Sequence, residues 1–259
     1  MGQITAITER TLKESLREKA GLFWIIAWPI IWVVIDSFVF AKQAPEQYVA
    51  LMRGSYTIAM MVFAAAMTGM VSFPGGIASD RVSGVFLKLF SMPIKPWRDS
   101  LGRLLGVFTF AILAVLLTFA AGRICGADFQ TAHLGVLKSA GFFILIFLAS
   151  AGIGMIIGTF IKSINGAIMT GVAIAVITAT MSGIFMPYSF LPASLQAFAR
   201  VYPISSCNSS LIFLLTGSKE MAGYDPLTSG HIALTVALSL VLFILGLVLY
   251  RRFCWGRRA

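Results

Sequence analysis

From Ser163 to Ala199 the chain runs for 37 residues without a charged side chain. A helix rising 1.5 Å per residue needs about 20 apolar residues to cross roughly 30 Å of hydrocarbon, so a run of this kind belongs in a bilayer. Five further segments have the same character: Gly21–Ala41, Gly54–Ser79, Leu104–Gly122, Ser139–Ile161 and Ile232–Tyr250. Pro187 and Pro192 interrupt the long run, which predicts a span over Ile164–Met186 and an irregular continuation. Composition agrees, because 58% of the 259 residues are hydrophobic and only 12% are charged, against about a quarter charged in a soluble domain. The expected fold class is an all-α membrane protein with six transmembrane helices.

A net charge of +10 would by itself suit nucleic acid. The basic residues instead sit in short segments between uncharged runs, as topology signals do, and no nucleic-acid partner is expected. Val201–Ser218 is also uncharged but holds Pro203, Ser205, Ser206, Asn208, Ser209 and Ser210. With six spans, one side keeps 14 of the 20 Lys and Arg, from Arg10 to Arg258, and the other keeps Lys42, Arg53, Arg123, Lys138, Arg200 and Lys219. A seventh span would move Arg251, Arg252, Arg257 and Arg258 to the poorer side, against the positive-inside rule. The expectation is therefore a multi-pass protein of the cytoplasmic (inner) membrane with both termini cytoplasmic. Residues 187–218 would form an outer re-entrant segment between spans five and six, shielded from lipid.

Two cytoplasmic segments are amphipathic. Ile4–Lys19 places Ile4, Ile7, Leu12 and Leu16 on one side, opposite Glu9, Arg10, Lys13, Glu14, Arg17 and Glu18. This predicts a helix over 1–20 lying among the lipid headgroups, or a basic topology anchor. Between spans two and three, Pro74-Gly75-Gly76 reads as a breaker and Asp80 as the N-cap of a helix over 80–93 that Pro93 ends. On it Val82, Val85, Phe86, Leu89 and Phe90 make a helical stripe beside Arg81. Such a ridge fits a groove on a soluble partner, or packs on the inner ends of its own spans.

Within the fifth span Ala167, Gly171, Ala175, Ala179 and Gly183 recur every four residues, and Ser150, Gly154 and Gly158 do so in the fourth. Small residues at that spacing let helices approach closely in lipid. The longer stripe is expected to be the seam with a second, similar chain, the alternative being packing within the chain. Trp24, Trp28 and Trp32 share a face of the first span with Asp36, the one charged residue inside the six apolar runs. An intramembrane carboxylate beside an aromatic row marks a possible substrate path, with Pro187 and Pro192 at its outer end, unless Asp36 is hydrated at the span's outer edge.

Catalytic signatures are missing. No G-x-x-x-x-G-K-[ST] occurs, so the chain has no P-loop for ATP phosphates. Cys125, Cys207 and Cys254 lack CxxC spacing and stand apart from His133 and His231 in sequence, so no metal or cofactor site is expected. Ser182-Gly183 approaches an intramembrane serine-protease motif, but Thr180 stands where its first Gly belongs and His231 begins the last span. A channel or secondary transporter would favour internal repeats and buried ionisable clusters, and neither is visible.

Taken in order, these features resemble the permease subunit of type-2 ABC exporters over essentially the whole chain. Asp80-Arg81-Val82-Ser83-Gly84 through Ser91-Met92-Pro93-Ile94 is similar to the family's cytoplasmic pattern, with Asp80 for the usual Glu and Gly84-Val85-Phe86 for the usual Gly-Thr-Leu. Phe190-Leu191-Pro192 through Tyr202-Pro203-Ile204 is similar to the prolines that bracket its outer re-entrant segment. The resemblance implies a single permease domain over 1–259 and a coupling helix at 80–93. It also implies a second permease and a separate ATP-binding cassette subunit carrying ATP and Mg. The cargo would be an amphipathic drug, a lipid or lipid-linked molecule, or alternatively a polysaccharide or teichoic acid.

Overall fold

The computed structural model describes residues 2–43, 45–86, 96–129, 133–186, 188, 191–217 and 224–255. Among them nine helices and no strand occur. They are α1 (Gln3–Arg17), α2 (Lys19–Phe40), α3 (Glu46–Val82), α4 (Pro96–Ile124), α5 (His133–Phe160), α6 (Ile164–Met181), α7 (Ala193–Val201), α8 (Pro203–Thr216) and α9 (Ser229–Trp255). Six of these, α2 to α6 and α9, are long and apolar enough to cross a membrane. The spans expected from sequence are all present, most of them extended by several residues at one or both ends. With an even number of crossings, α1 and the end of α9 share one end of the bundle, called here the terminal end.

The second span, α3, is the axis of the bundle. Its most apolar stretch is 89% buried, against 17% for α9. It packs on α2, α4, α5, α6 and α8, while α9 lies outermost against α5. The expected break at Pro74-Gly75-Gly76 does not occur. The helix widens into a five-residue π turn at Thr68–Ser72 and then runs on through Phe73–Val82. Pro74 lacks the N–H that would meet the Met70 carbonyl in α-helical register, and the wide turn placed just before it absorbs the mismatch.

That turn is where the backbones come closest. A Cβ added to Gly154 of α5 would collide with the Gly69 carbonyl, one on Gly158 would lie 2.9 Å from Pro74 Cα, and one on Gly171 of α6 would collide with the Met70 carbonyl. Ala167, Ala175 and Ala179, on the same face of α6 as Gly171, are 0–2% exposed. The stripe expected to meet a second permease is therefore spent inside the chain, on α3. The reason is geometric: carbonyls at the π turn can be approached only by helices lacking side-chain bulk. Gly183 lies beyond α6 in a positive-φ turn (φ 74°) packed near Leu191.

Gly171→Leu should destabilise the isolated protomer by about 1–3 kcal/mol, the cost of overpacking. Ala173→Leu, on the exposed side of the same helix, should leave the melting temperature in detergent unchanged. Equal melting temperatures for both variants would refute the α3–α6 contact.

Candidate functional site

Charged groups converge at the terminal end of the bundle. The Asp80 carboxylate, 1% exposed in the last turn of α3, makes ion pairs with Arg10 of α1 and Arg103 of α4. Arg103 reaches Asp80 Oδ2 as a charge contact without hydrogen-bond alignment, while its Nε donates to Asp99 one helical turn earlier at 3.0 Å. Asp99 Oδ2 accepts from the Tyr250 hydroxyl of α9 at 2.8 Å, and Trp255 Nε1 lies 3.4 Å from that hydroxyl. Phe86 closes the ring. It is 8% exposed, edge-on to Trp255 with centroids 6.5 Å apart, and the Arg103 guanidinium sits 5.8 Å over its face. Helices α1, α3, α4 and α9 thus meet in one desolvated cluster.

Local sequence explains each position. Asp99 and Arg103 are an i,i+4 acid–base pair, which turns both side chains to one face of α4. Gly102 and Gly106 beside them admit α1: a Cβ on Gly102 would lie 2.7 Å from Ile7 Cβ, and Thr8 Oγ1 donates to the Gly102 carbonyl at 3.1 Å. The first helix accordingly lies on α4 through Ile4, Ile7, Thr8 and Thr11, with Leu16 left 41% exposed. On its outer side Lys13 hydrogen-bonds Glu9 at 2.6 Å and holds that carboxyl below the usual carboxylate range.

The expected helix over 80–93 is corrected in its described part. Asp80 caps nothing; it is buried within α3, because its charge needs two guanidinium partners. Ser83 and Gly84 (φ 67°) turn the chain after Val82, so Val82, 66% exposed, does not share a helix with Val85 and Phe86. Phe86 packs on its own bundle. Arg81 binds the end of the fourth span, donating to the Ile161 and Thr159 carbonyls at 3.3 and 3.2 Å, and lies 3.4 Å from Cys254 Sγ. Leu89 and Phe90 lie outside the described residues.

The aromatic row is continuous. Trp24, Trp28 and Trp32 stand 5.1 and 6.1 Å apart, and Trp32 stacks on Phe185, just beyond α6, at 5.6 Å. Asp36 lies at 5% exposure where the face of α2 turns towards α3. At its foot a cleft of about 310 Å³ opens between α1, α2, α3, α4 and α6, lined among others by Glu18, Gly21, Ser72 and Ile168.

At the far end, Pro192 is the N-cap of α7, and Pro187 lies outside the described residues. Helix α8 is buried from Pro203 to Ile212. Its polar side chains bind neighbouring helix ends: Ser205 donates to the Ser182 carbonyl at 2.6 Å and Ser206 contacts His231 at 2.7 Å and Thr235 at 2.5 Å. Burial pushes the neighbouring Tyr224 phenol up to about 12, and its hydroxyl meets His231 at 3.2 Å. The Ser182 hydroxyl bonds back to the Thr178 carbonyl of its own helix, so the protease-like pairing of Ser182 with His231 is not formed.

Sequence reasoning missed Arg10, Asp80, Asp99, Arg103 and Tyr250 as one unit. The available signal was the Asp99/Arg103 spacing, hidden because the third span was started at Leu104. Replacing Arg103 with Gln should cost about 3–5 kcal/mol in thermal unfolding, since it strands buried carboxylates. Arg10→Ala, at a pair whose arginine is 40% exposed, should cost at most about 1 kcal/mol, yet speed amide exchange throughout α1. Equal losses from the two variants would contradict this division of roles.

No curated protein matches the chain. A sequence-family model does: the ABC-2 type transporter family covers residues 2–216, a stretch that includes α1, the first five spans, the charge cluster apart from Tyr250 and Trp255, and both helices α7 and α8. The family is a membrane transport domain whose members work with an ATP-binding cassette subunit. With six apolar spans, α3 among them, this multi-pass membrane protein belongs to the ABC-2 type transporter family as the transmembrane subunit of an ABC transporter.

Proposed function

We propose that the chain is the permease half of an exporter that moves an amphipathic drug, lipid or lipid-linked molecule outward. A separate ATPase subunit, carrying ATP and Mg, supplies the energy, and a second permease completes the assembly. The observation that carries this reading is the buried cluster at the terminal end. It ties the chain entering residues 87–95 to two membrane helices, α9 and α4, through Phe86 against Trp255 and Arg103. A push on that segment by a soluble subunit would reach α4 and α9 through side chains in direct contact, and α1 through Asp80. In this reading Arg81 steadies the segment against α5, while Val82 and Val85, with Leu89 and Phe90 further on, meet the ATPase.

The second permease needs a surface other than the α6 stripe. Helices α2 and α6 flank α3, α2 carrying the Trp row and Phe185 following α6, so the partner's matching surface would face this one and enclose the path. The basic terminal end lies in the cytoplasm under the positive-inside rule, and α7 and α8 form the outer re-entrant segment.

Two measurements test this reading. Single cysteines at Lys42 and Arg123 should label only from outside intact cells, and at Lys162 and Arg257 only after permeabilisation; an outward Arg257 would overturn the orientation. Tagged permease should retain an ATP-binding cassette subunit on purification and, once reconstituted, give ATP hydrolysis stimulated by an amphipathic cargo. Phe86→Ala should leave the subunit bound but cut the stimulation severalfold. Full stimulation in that variant would remove Phe86 from the coupling route.

A further inference from the structure

Among the described residues Asp36 has no counter-charge, and no hydrogen bond or ion pair reaches its carboxylate, although only 5% of the residue is exposed. Charged and titratable groups on this side come from α3 and from Lys42, just after α2, which sits 5.6 Å over the Phe38 ring. Arg53 donates to the Ser37 carbonyl at 3.2 Å and lies 5.8 Å over the Phe38 ring, so it is committed elsewhere; Tyr56 lies within electrostatic reach. Two polar atoms of the same helix, Ser37 Oγ and Trp28 Nε1, are fully buried without a hydrogen-bond partner. A desolvated carboxylate of this kind must take a proton or a cation.

What stands beside it favours a cation with an apolar body. The row from Trp24 to Phe185, continued by Phe63 at 5.2 Å from Phe185, starts three residues after Gly21 of the cleft, and its Trp32 stands four residues before Asp36 on the same helix. Aromatic faces carry negative charge density and attract cations, most strongly where water is excluded. An anionic cargo would meet the same faces and then an unpaired carboxylate, both repulsive.

We propose that the α2 path selects organic cations, with Asp36 as the counter-ion of the bound cargo and the tryptophans as its apolar walls. This rests on the exporter reading, whose substrate class it narrows. The unpartnered Trp28 N–H and Ser37 hydroxyl are then groups awaiting a ligand's polar atoms or its water.

Tetraphenylphosphonium and tetraphenylborate have nearly the same shape and opposite charge. Binding of each to purified permease in nanodiscs of neutral lipid is read through tryptophan fluorescence. Asp36→Asn should lower the phosphonium-to-borate affinity ratio at least tenfold, about 1.4 kcal/mol, and Asp36→Glu should preserve most of it. Asn removes a buried charge at constant size, so the melting temperature should hold or rise, which separates loss of the site from loss of the fold. A ratio unchanged by Asp36→Asn, or equal loss of both probes, overturns the proposal. ATP-driven phosphonium uptake into inside-out vesicles by the complete complex is read separately. Charge-selective binding without such uptake would defeat the exporter reading and leave the cation site standing.

Discussion

A carboxylate buried at the end of a membrane helix has to be neutralised, and much of the terminal end follows from how Asp80 meets that requirement. Its two cationic partners come from different helices, Arg10 on α1 and Arg103 on α4. Arg103 in turn requires Asp99, whose second oxygen fixes Tyr250 of α9. One desolvated charge thereby sets the positions of three other helices. Replacing such a cluster with well-packed apolar residues is often no less stable, so stability alone does not explain it. What charge adds is position: a guanidinium held by two carboxylates has few other places to go.

Above that junction the bundle is organised by a different constraint. Helices in lipid gain nothing from hydrophobic burial against one another, so close backbone contact carries the packing. The π turn at Thr68–Ser72 and Pro74 give α3 carbonyls that Gly154 and Gly171 approach from two sides. This closely packed α3–α5–α6 unit leaves α2 at the edge, with its Trp row partly buried.

The six spans were legible in the sequence because lipid demands about 20 apolar residues per crossing and the chain supplies them six times. The amphipathic first helix and the short helices between spans five and six were legible for similar reasons of periodicity and proline placement. Residues whose role depends on a partner helix were not. A stripe such as Ala167–Gly171–Ala175–Ala179 announces close packing but not which helix it meets, and the structure assigns it to α3. Asp80 looked like an N-cap because an acidic residue after Pro-Gly-Gly normally starts a helix; only the π turn, invisible to local propensity, lets α3 run through. Phe86 shows the same limit, since an apolar side chain after a turn suits either a partner's groove or its own bundle.

The central claim is that Asp80 and Arg103 act as one buried pair and not as two independent surface charges. A double-mutant cycle with Asp80→Asn, Arg103→Gln and the combined variant, followed by thermal unfolding in nanodiscs, measures this directly. The account predicts strong non-additivity: each single change strands a charge, and the double variant recovers at least about 1 kcal/mol relative to the sum of the two. Strictly additive losses, with no recovery in the double variant, would contradict it.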